Sequence, residues 1–358
     1  MVLHVDPEKG WGGGETQVAG LMRYLSRRGH VNHLLCDPEA PLAAEMKDVA
    51  EKHPLTMRND LDLRPLPAVR RLIRDRGYDI VHLHTKRAHA LSAWLGSEPA
   101  TQKRIVTRRM DYPIRRGWFD RYLYNRCVDG VVAISRPIAA LLAEGGVARD
   151  KIRIIHSGVD PEPYEKIPAP DGDHSPIVVG SVASLEERKG HRFLLEAARE
   201  LKRRGHRFSY RIAGEGSQKR RLLELTRSLQ LESEIEFVGF TSDVPAFLRA
   251  IDVFVLPSLS EGLGVAALEA MAAARPVIAS AVGGLTDTVI EGETGLLVPP
   301  GDSASLARAL GRLATEKELI RAMGEKGRAR FLNHFTMERM ARANEEFYYE
   351  LLNQDAGR

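Results

Sequence analysis

Residues 251 to 284 read IDVFVLPSLSEGLGVAALEAMAAARPVIASAVGG, and the rhythm of this stretch decides the fold. Its first apolar run, Ile251–Leu256, predicts a short buried strand. A run from Ala266 to Ala274, of high helix propensity and free of Gly and Pro, predicts a helix over 262–274. Pro276–Ser280 then predicts a second strand. Strand, helix and strand at this spacing imply parallel strands covered by helices.

The alternation extends in both directions. Ile177–Val182, Phe208–Ala213, Ile235–Val238 and Gly295–Val298 predict further strands, with helices at 190–204, 217–229 and 303–313. Nearer the N-terminus, strands are predicted at Val2–Val5, Val31–Cys36, Asp79–Leu83, Arg104–Thr107, Gly130–Ile134 and Ile152–His156. Val18, Leu21, Met22 and Leu25 lie at helical spacing between the first two, and Gly29 predicts the stop. Residues 157–176, SGVDPEPYEKIPAPDGDHSP, hold five prolines and predict an interdomain linker. Met337, Met340, Ala341, Phe347, Tyr348, Leu351 and Leu352 outline the apolar face of a terminal helix. The expected architecture is α/β, with two similar domains facing each other across a ligand-binding cleft.

Length agrees, since 358 residues exceed what one hydrophobic core usually holds. Hydrophobic types at 43% and charged types at 28% exclude a disordered or collagen-like chain. Cys36 and Cys127 are the only cysteines, which excludes a disulfide scaffold and a cysteine-based zinc knuckle. The apolar start is too short for a signal peptide, and no window approaches a membrane span, so a cytoplasmic location is expected. Net charge is +4, but Lys103 to Arg126 carries eight basic residues against Asp111 and Asp120. Tyr112, Ile114, Trp118, Phe119 and Tyr122 are interleaved there, which suits an anionic membrane surface or a charged glycan. No recognised nucleic-acid module accompanies the window, so no nucleic-acid partner is expected.

Several groups of residues could carry chemistry. Gly10, Gly12, Gly13 and Gly14 follow the first predicted strand, as a plain turn or as a loop whose amides approach an anion. No G-x-G-x-x-G frame fits, because Glu15 takes the last position. His82 and His84 share one face of a predicted strand, which fits a cleft contact or a structural role better than a metal site. No third ligand is identifiable nearby, and no metal site is expected. The pairs Asp60/Asp62 and Asp171/Asp173 read as solvated loop. Glu261 and Glu269, if on one helix, stand about 12 Å apart along its axis, too far to act on one glycosidic bond. They suit two contacts along an extended ligand, with Gly262 and Gly264 at a helix N-terminus able to receive a diphosphate. Arg188 and Lys189, after the first strand of the second half, are surface charge or a counter-charge for a leaving phosphate.

Taken in order, these motifs resemble the family-four retaining glycosyltransferases. The resemblance runs through GGGETQVAGLMRYLSRRGH (12–30), VHLHTKRAHALSAWLG (81–96), HSGVD (156–160), GSVASLEERKGHRFLLEAA (180–198) and IAGEGSQKRRLLE (212–224). It continues through FVGF (237–240), the stretch already quoted and EGETGLLVPPGD (291–302). It implies a GT-B fold of two Rossmann-like domains: an acceptor-side domain at 1–160, a nucleotide-sugar domain at 177–335, and a C-terminal helix at 336–358 crossing back to the first. Glu261 matches the glutamate that contacts the donor sugar, Glu269 the one at the ribose, and Lys189, with Arg188, the cation near the phosphates. Val238, Gly239 and Phe240 match the segment beside the base. Gly264, Val265 and Ala266 match the diphosphate amides, and Gly13 and Gly14 the loop over the reaction centre. Ala274 stands where a glycine is common, a change conservative in bulk, and Arg108 or Arg109 stands near the place of an acceptor-side histidine.

The implied activity is metal-independent transfer of a sugar, with retention, from a nucleotide diphosphate sugar to a hydroxyl of a glycan or glycolipid. No other cofactor is implied. A nucleotide-sugar epimerase and a non-catalytic nucleotide- or glycan-binding subunit are the alternatives. Expected partners are the nucleotide sugar, a glycan or lipid-linked acceptor and, by peripheral contact, an anionic membrane. In that last case the protein would sit at the cytoplasmic face of the inner membrane.

Overall fold

The computed structural model describes residues 1–60, 62–96, 102–114, 117–172 and 175–354. The chain divides into two compact units, Met1–Gly158 with Met337–Arg358, and Val159–Thr336.

In the first unit β1 (Val2–Asp6), β2 (Asn32–Cys36), β3 (Glu51–Pro54), β4 (Ile80–Leu83), β5 (Lys103–Arg108), β6 (Gly130–Ala133) and β7 (Ile152–Ile154) form one sheet. Their order is β3-β2-β1-β4-β5-β6-β7, and every paired register is parallel. The helix Gly13–Arg27 buries Val18, Leu21, Met22 and Leu25 against this sheet, as their spacing predicts. Glu51–Pro54 is a strand that the sequence pattern does not announce. Its residues EKHP are mostly exposed at the sheet edge and carry no apolar alternation.

The second unit holds β8 (Ile177–Val182), β9 (Phe208–Ala213), β10 (Ile235–Gly239), β11 (Val253–Leu256), β12 (Val277–Ser280) and β13 (Gly295–Val298). Their order, β10-β9-β8-β11-β12-β13, repeats that of the first six strands, again all parallel. Val179, Ile212, Val255 and Ile278 from the sheet meet Leu195, Leu201 and Leu310 from the helices in one core. Each unit is therefore a Rossmann-like α/β layer structure, as the alternating pattern predicts. In both, the strand order reverses beside the first strand, and the crevice at the carboxyl ends of such strands is where α/β sheets bind ligands.

Two expectations need correction. The proline-rich stretch is not a bare linker: Tyr164, in the short helical turn Glu162–Tyr164, and Ile167 are buried in the second unit. Proline keeps this stretch out of the sheet ladder without preventing side-chain burial. The helix Glu318–His334 was not predicted at all, because its buried residues Ile320, Met323, Gly324, Gly327 and Phe331 include two glycines that blur the apolar stripe.

The terminal helix Met337–Asn353 forms as its apolar face predicts and packs within the first unit, along Gly13–Arg27. Met340, Ala341, Phe347, Tyr348 and Leu351 join Leu21, Leu25, Ile80 and Ile105 in one cluster. Glycine permits the close approach: a Cβ on Gly130 would lie 2.6 Å from Phe347 Cζ.

Candidate functional site

In the second unit the loops after β8 and β11 meet at the reversal of strand order. Leu259 N–H donates to Arg188 C=O at 2.7 Å, tying the two loops together. This brings Lys189 Nζ to 2.5 Å from Glu261 Oε2, with both side chains 12% exposed. Ser258 Oγ also donates to that oxygen, at 3.3 Å. Arg188 next door is exposed and takes no part in this pair. Partial burial strengthens the Lys189–Glu261 attraction and makes loss of either partner costly.

Glu261 is not on the helix that follows. The helix runs Val265–Ala272, Gly264 is its N-cap, and Glu269 lies within it. Backbone geometry explains the glycines. Gly264 has φ +85°, and Gly283, at φ +48°, would drive a Cβ to 1.8 Å from the Glu261 carbonyl oxygen. The chain can thus fold over Glu261, with Gly284 N–H donating to the Glu261 carbonyl at 3.2 Å. The first amides of the helix, at Val265 and Ala266, have no partner within it and present the positive end of the dipole.

Glu269 is held differently. Burial pushes its carboxyl up to about 7, and the hydroxyl of Tyr164, donating to Oε1 at 3.1 Å, pulls it part of the way back. Tyr164 was missed because the surrounding prolines suggested a linker; Tyr164 and Ile167, at i and i+3, were the signal. At the end of β10, Gly239 turns the chain at φ +75° and its carbonyl accepts from Gly214 N–H at 2.8 Å. Val238 is half-buried, and the ring of Phe240 is 78% exposed.

In the first unit, Gly13 and Gly14 open the helix Gly13–Arg27 immediately after the loop that follows β1. A Cβ on Gly14 would lie 3.7 Å from the Arg109 side chain. Asp6, at the end of β1, is pushed up to about 7, chiefly by burial and then by the neighbouring Glu15. His82 and His84 are buried and joined by His4, which sits opposite His82 in the parallel register of β1 and β4. The expectation that no third histidine-like partner lies nearby is thereby corrected: the three rings offer nitrogens within 4.8 Å of one another. The strand order could have revealed it, because it places β1 beside β4. The His82 nitrogens already meet Thr107 Oγ1 at 2.7 Å and the Tyr348 hydroxyl at 2.5 Å, so the cluster stands as a hydrogen-bonded network.

The basic window separates into different roles. Lys103, Arg104 and Arg108 are buried. Arg108 donates to the carbonyls of Met110 and Tyr112 and to the Tyr124 hydroxyl. Arg109 instead lines a cavity with His82 and His84. Arg121 and Arg126 are exposed with Trp118 and Tyr122 on the helix Trp118–Arg126, while Arg115 and Arg116 lie outside the described residues. The pairs Asp60/Asp62 and Asp171/Asp173 gather no common site: Asp62 is bonded by Arg64, and Asp173 also lies outside the described residues.

Two Rossmann-like lobes of this kind define the GT-B class, and crystal structures agree. A glycosyltransferase from Rickettsia africae matches with TM-score 0.84 at 23% identity, covering 98% of both chains. Anabaena Alr3699/HepE, solved in complex with UDP, matches with TM-score 0.85 at 20% identity over 98% of this chain and 99% of its own. At such identities the likeness shows the fold.

The sequence narrows the class. The family model described as Glycosyltransferase Family 4 matches residues 11–163, and that described as Glycosyl transferases group 1 matches 165–330. Between them they take in most of the chain, which belongs to the family-4 glycosyltransferases. The 2-deoxystreptamine glucosyltransferase of Streptomyces kanamyceticus is 30% identical over 66% of this chain and 64% of its own length. The amylovoran biosynthesis glycosyltransferase AmsK of Erwinia amylovora is 34% identical over 51% of this chain and 47% of its own. The chain thus spans about half the length of AmsK and under two thirds of the Streptomyces enzyme.

Proposed function

We propose that the protein moves a sugar from a nucleotide diphosphate sugar to a hydroxyl of a glycan or glycolipid, with retention at the anomeric carbon and without a resident metal ion. The observation that carries this reading is the half-buried Lys189–Glu261 pair at the strand reversal, next to the helix that opens at Gly264. Lys189 has an anionic partner that a diphosphate can replace. Together with the amides of Val265 and Ala266, and with exposed Arg188 nearby, it supplies positive charge where the leaving group becomes an anion.

Glu261, released from Lys189, accepts hydrogen bonds from donor-sugar hydroxyls and orients the anomeric carbon. Glu269 accepts from the ribose, and its burial beside Tyr164 fixes where that ring sits. The exposed ring of Phe240 and the backbone of Val238 and Gly239 flank the base. Gly13 and Gly14, which open a helix of the first unit, carry no side chain to screen its first amides from a ligand. Because Glu261 positions rather than attacks, its role lies in turnover more than in affinity.

Glu261→Ala is expected to cut sugar transfer at least about a hundredfold while nucleotide affinity changes little. Nucleotide-sugar consumption, followed by mass spectrometry with and without glycolipid acceptors, tests this. Transfer undiminished in Glu261→Ala removes the assignment, and a changed nucleotide sugar formed without any acceptor points to an epimerase instead. Peripheral contact with an anionic membrane, at a cytoplasmic face, belongs to the same proposal and rests on Trp118, Arg121, Tyr122 and Arg126. Among the described residues, no helix is long and apolar enough to cross a membrane.

A further inference from the structure

A chain of hydrogen bonds behind the cavity of the first unit fixes the polarity of its wall. Asn32 Nδ2 donates to the Met22 carbonyl at 3.2 Å, which leaves Asn32 Oδ1 facing His4 Nε2, also at 3.2 Å. That oxygen only accepts, so His4 Nε2 carries the proton. Burial holds the His4 pKa at about 4, so the ring is neutral and its Nδ1 bears a lone pair. His84 Nε2 lies 3.0 Å from this lone pair and must donate to it. Burial keeps His84 neutral as well, and its remaining nitrogen, Nδ1, is therefore an acceptor. That atom is buried on the cavity wall and has no partner in the protein.

Asn344 presents a second acceptor on the same wall. Its Nδ2 donates to the Met340 carbonyl at 2.9 Å, so its free atom is Oδ1, which is buried and unpartnered. A buried acceptor left unmet is costly, and two on one wall call for a donor from outside the protein. The cavity offers only about 20 Å³, room for one water-sized group such as a single hydroxyl and not for a sugar ring. Arg109 lines it too; burial lowers its pKa, and the nearby Asp6 and Glu15 act in the opposite sense.

We propose that this cavity seats an uncharged hydroxyl group of the acceptor sugar, which donates to His84 Nδ1 or Asn344 Oδ1 while its oxygen accepts from Arg109. The proposal rests on the glycosyl-transfer reading and names the acceptor class: a neutral hexoside at this position, not a uronic acid. A carboxylate or phosphate oxygen has no proton to give and would face two lone pairs, so acidic arms are rejected.

Protein labelled with 15N in its histidine rings tests the idea by nuclear magnetic resonance. The probes are methyl glycosides of glucose, galactose and mannose, set against those of glucuronic and galacturonic acid. His84 is expected in the Nε2–H tautomer, with its Nδ1 signal moved by at least one neutral glycoside and by neither uronide. Asn344→Leu is expected to weaken that shift while Tm holds or rises, because an unmet acceptor disappears; a purely structural Asn344 would lower Tm and leave the shift intact. A proton on His84 Nδ1, equal or stronger response to a uronide, or no response to any neutral glycoside overturns the proposal. Nucleotide-sugar consumption is followed on the same preparation. Donor turnover without the expected shifts removes the pocket assignment alone, whereas shifts without donor turnover against any acceptor remove the acceptor role and the transfer reading with it.

Discussion

Ala274 shows how one atom can matter through the backbone. It replaces a glycine common in the family, and by volume the change is slight. The structure places it at φ +54°, where a Cβ crowds the following carbonyl, so the cost lies in the dihedral angle and not in bulk. Ala274→Gly is expected to raise stability by up to about 1 kcal/mol, read as a higher urea midpoint at unchanged slope. Glu269 is the second case. A carboxyl held at about 7 when folded binds its proton more tightly than in the unfolded chain. Its contribution is fully present below the ordinary carboxylate range and is lost as pH rises through about 7. Glu269→Gln should therefore flatten the fall of stability between pH 5 and 8 relative to the parent. Asp6 shifts in the same sense and remains in both proteins, so the difference between the two urea series isolates Glu269.

Among the described elements, the helix Trp118–Arg126 exposes two aromatic rings beside two guanidinium groups. Trp118 and Tyr122 stand at i and i+4, 78% and 43% exposed, with Arg121 and Arg126 also exposed. Leu123 and Tyr124 anchor the opposite side. Aromatic rings beside guanidinium groups suit the interface of an anionic bilayer, where each basic residue contributes about 1 kcal/mol near the surface. The protein should sediment with vesicles rich in anionic lipid at low salt and far less at high salt, and Trp118→Ala with Arg121→Ala should weaken that binding. Sedimentation equal to that with neutral vesicles would remove the membrane contact from the proposal. The sequence window overstated this surface: Lys103 and Arg104 lie in β5, where strand burial takes them out of the charge patch.

At the scale of the whole molecule, the first unit is completed by the chain's last helix. Met340, Ala341, Phe347, Tyr348 and Leu351 supply much of the cluster that closes over Leu21, Leu25 and Ile105, and the Tyr348 hydroxyl reaches His82. Glu345 adds hydrogen bonds from His30 at 2.7 Å and from Tyr24 at 3.1 Å. Ending the chain after Thr336 should therefore unfold the first unit while leaving the second cooperative. Hydrogen exchange would read this as lost protection confined to residues before 159.

The sequence by itself determined the alternation of strands and helices, the glycines at the start of the helix after Glu261 and the amphipathic terminal helix. These depend on local period and backbone sterics, which neighbouring residues carry. Only the tertiary structure decided that His4 stands beside His82, that Tyr164 leaves a proline-rich stretch to hold Glu269, and that Arg109 rather than Arg108 lines the cavity. Those meetings depend on strand order and on which side chains are shut off from water. Both are properties of chain segments far apart in sequence that become neighbours only on packing.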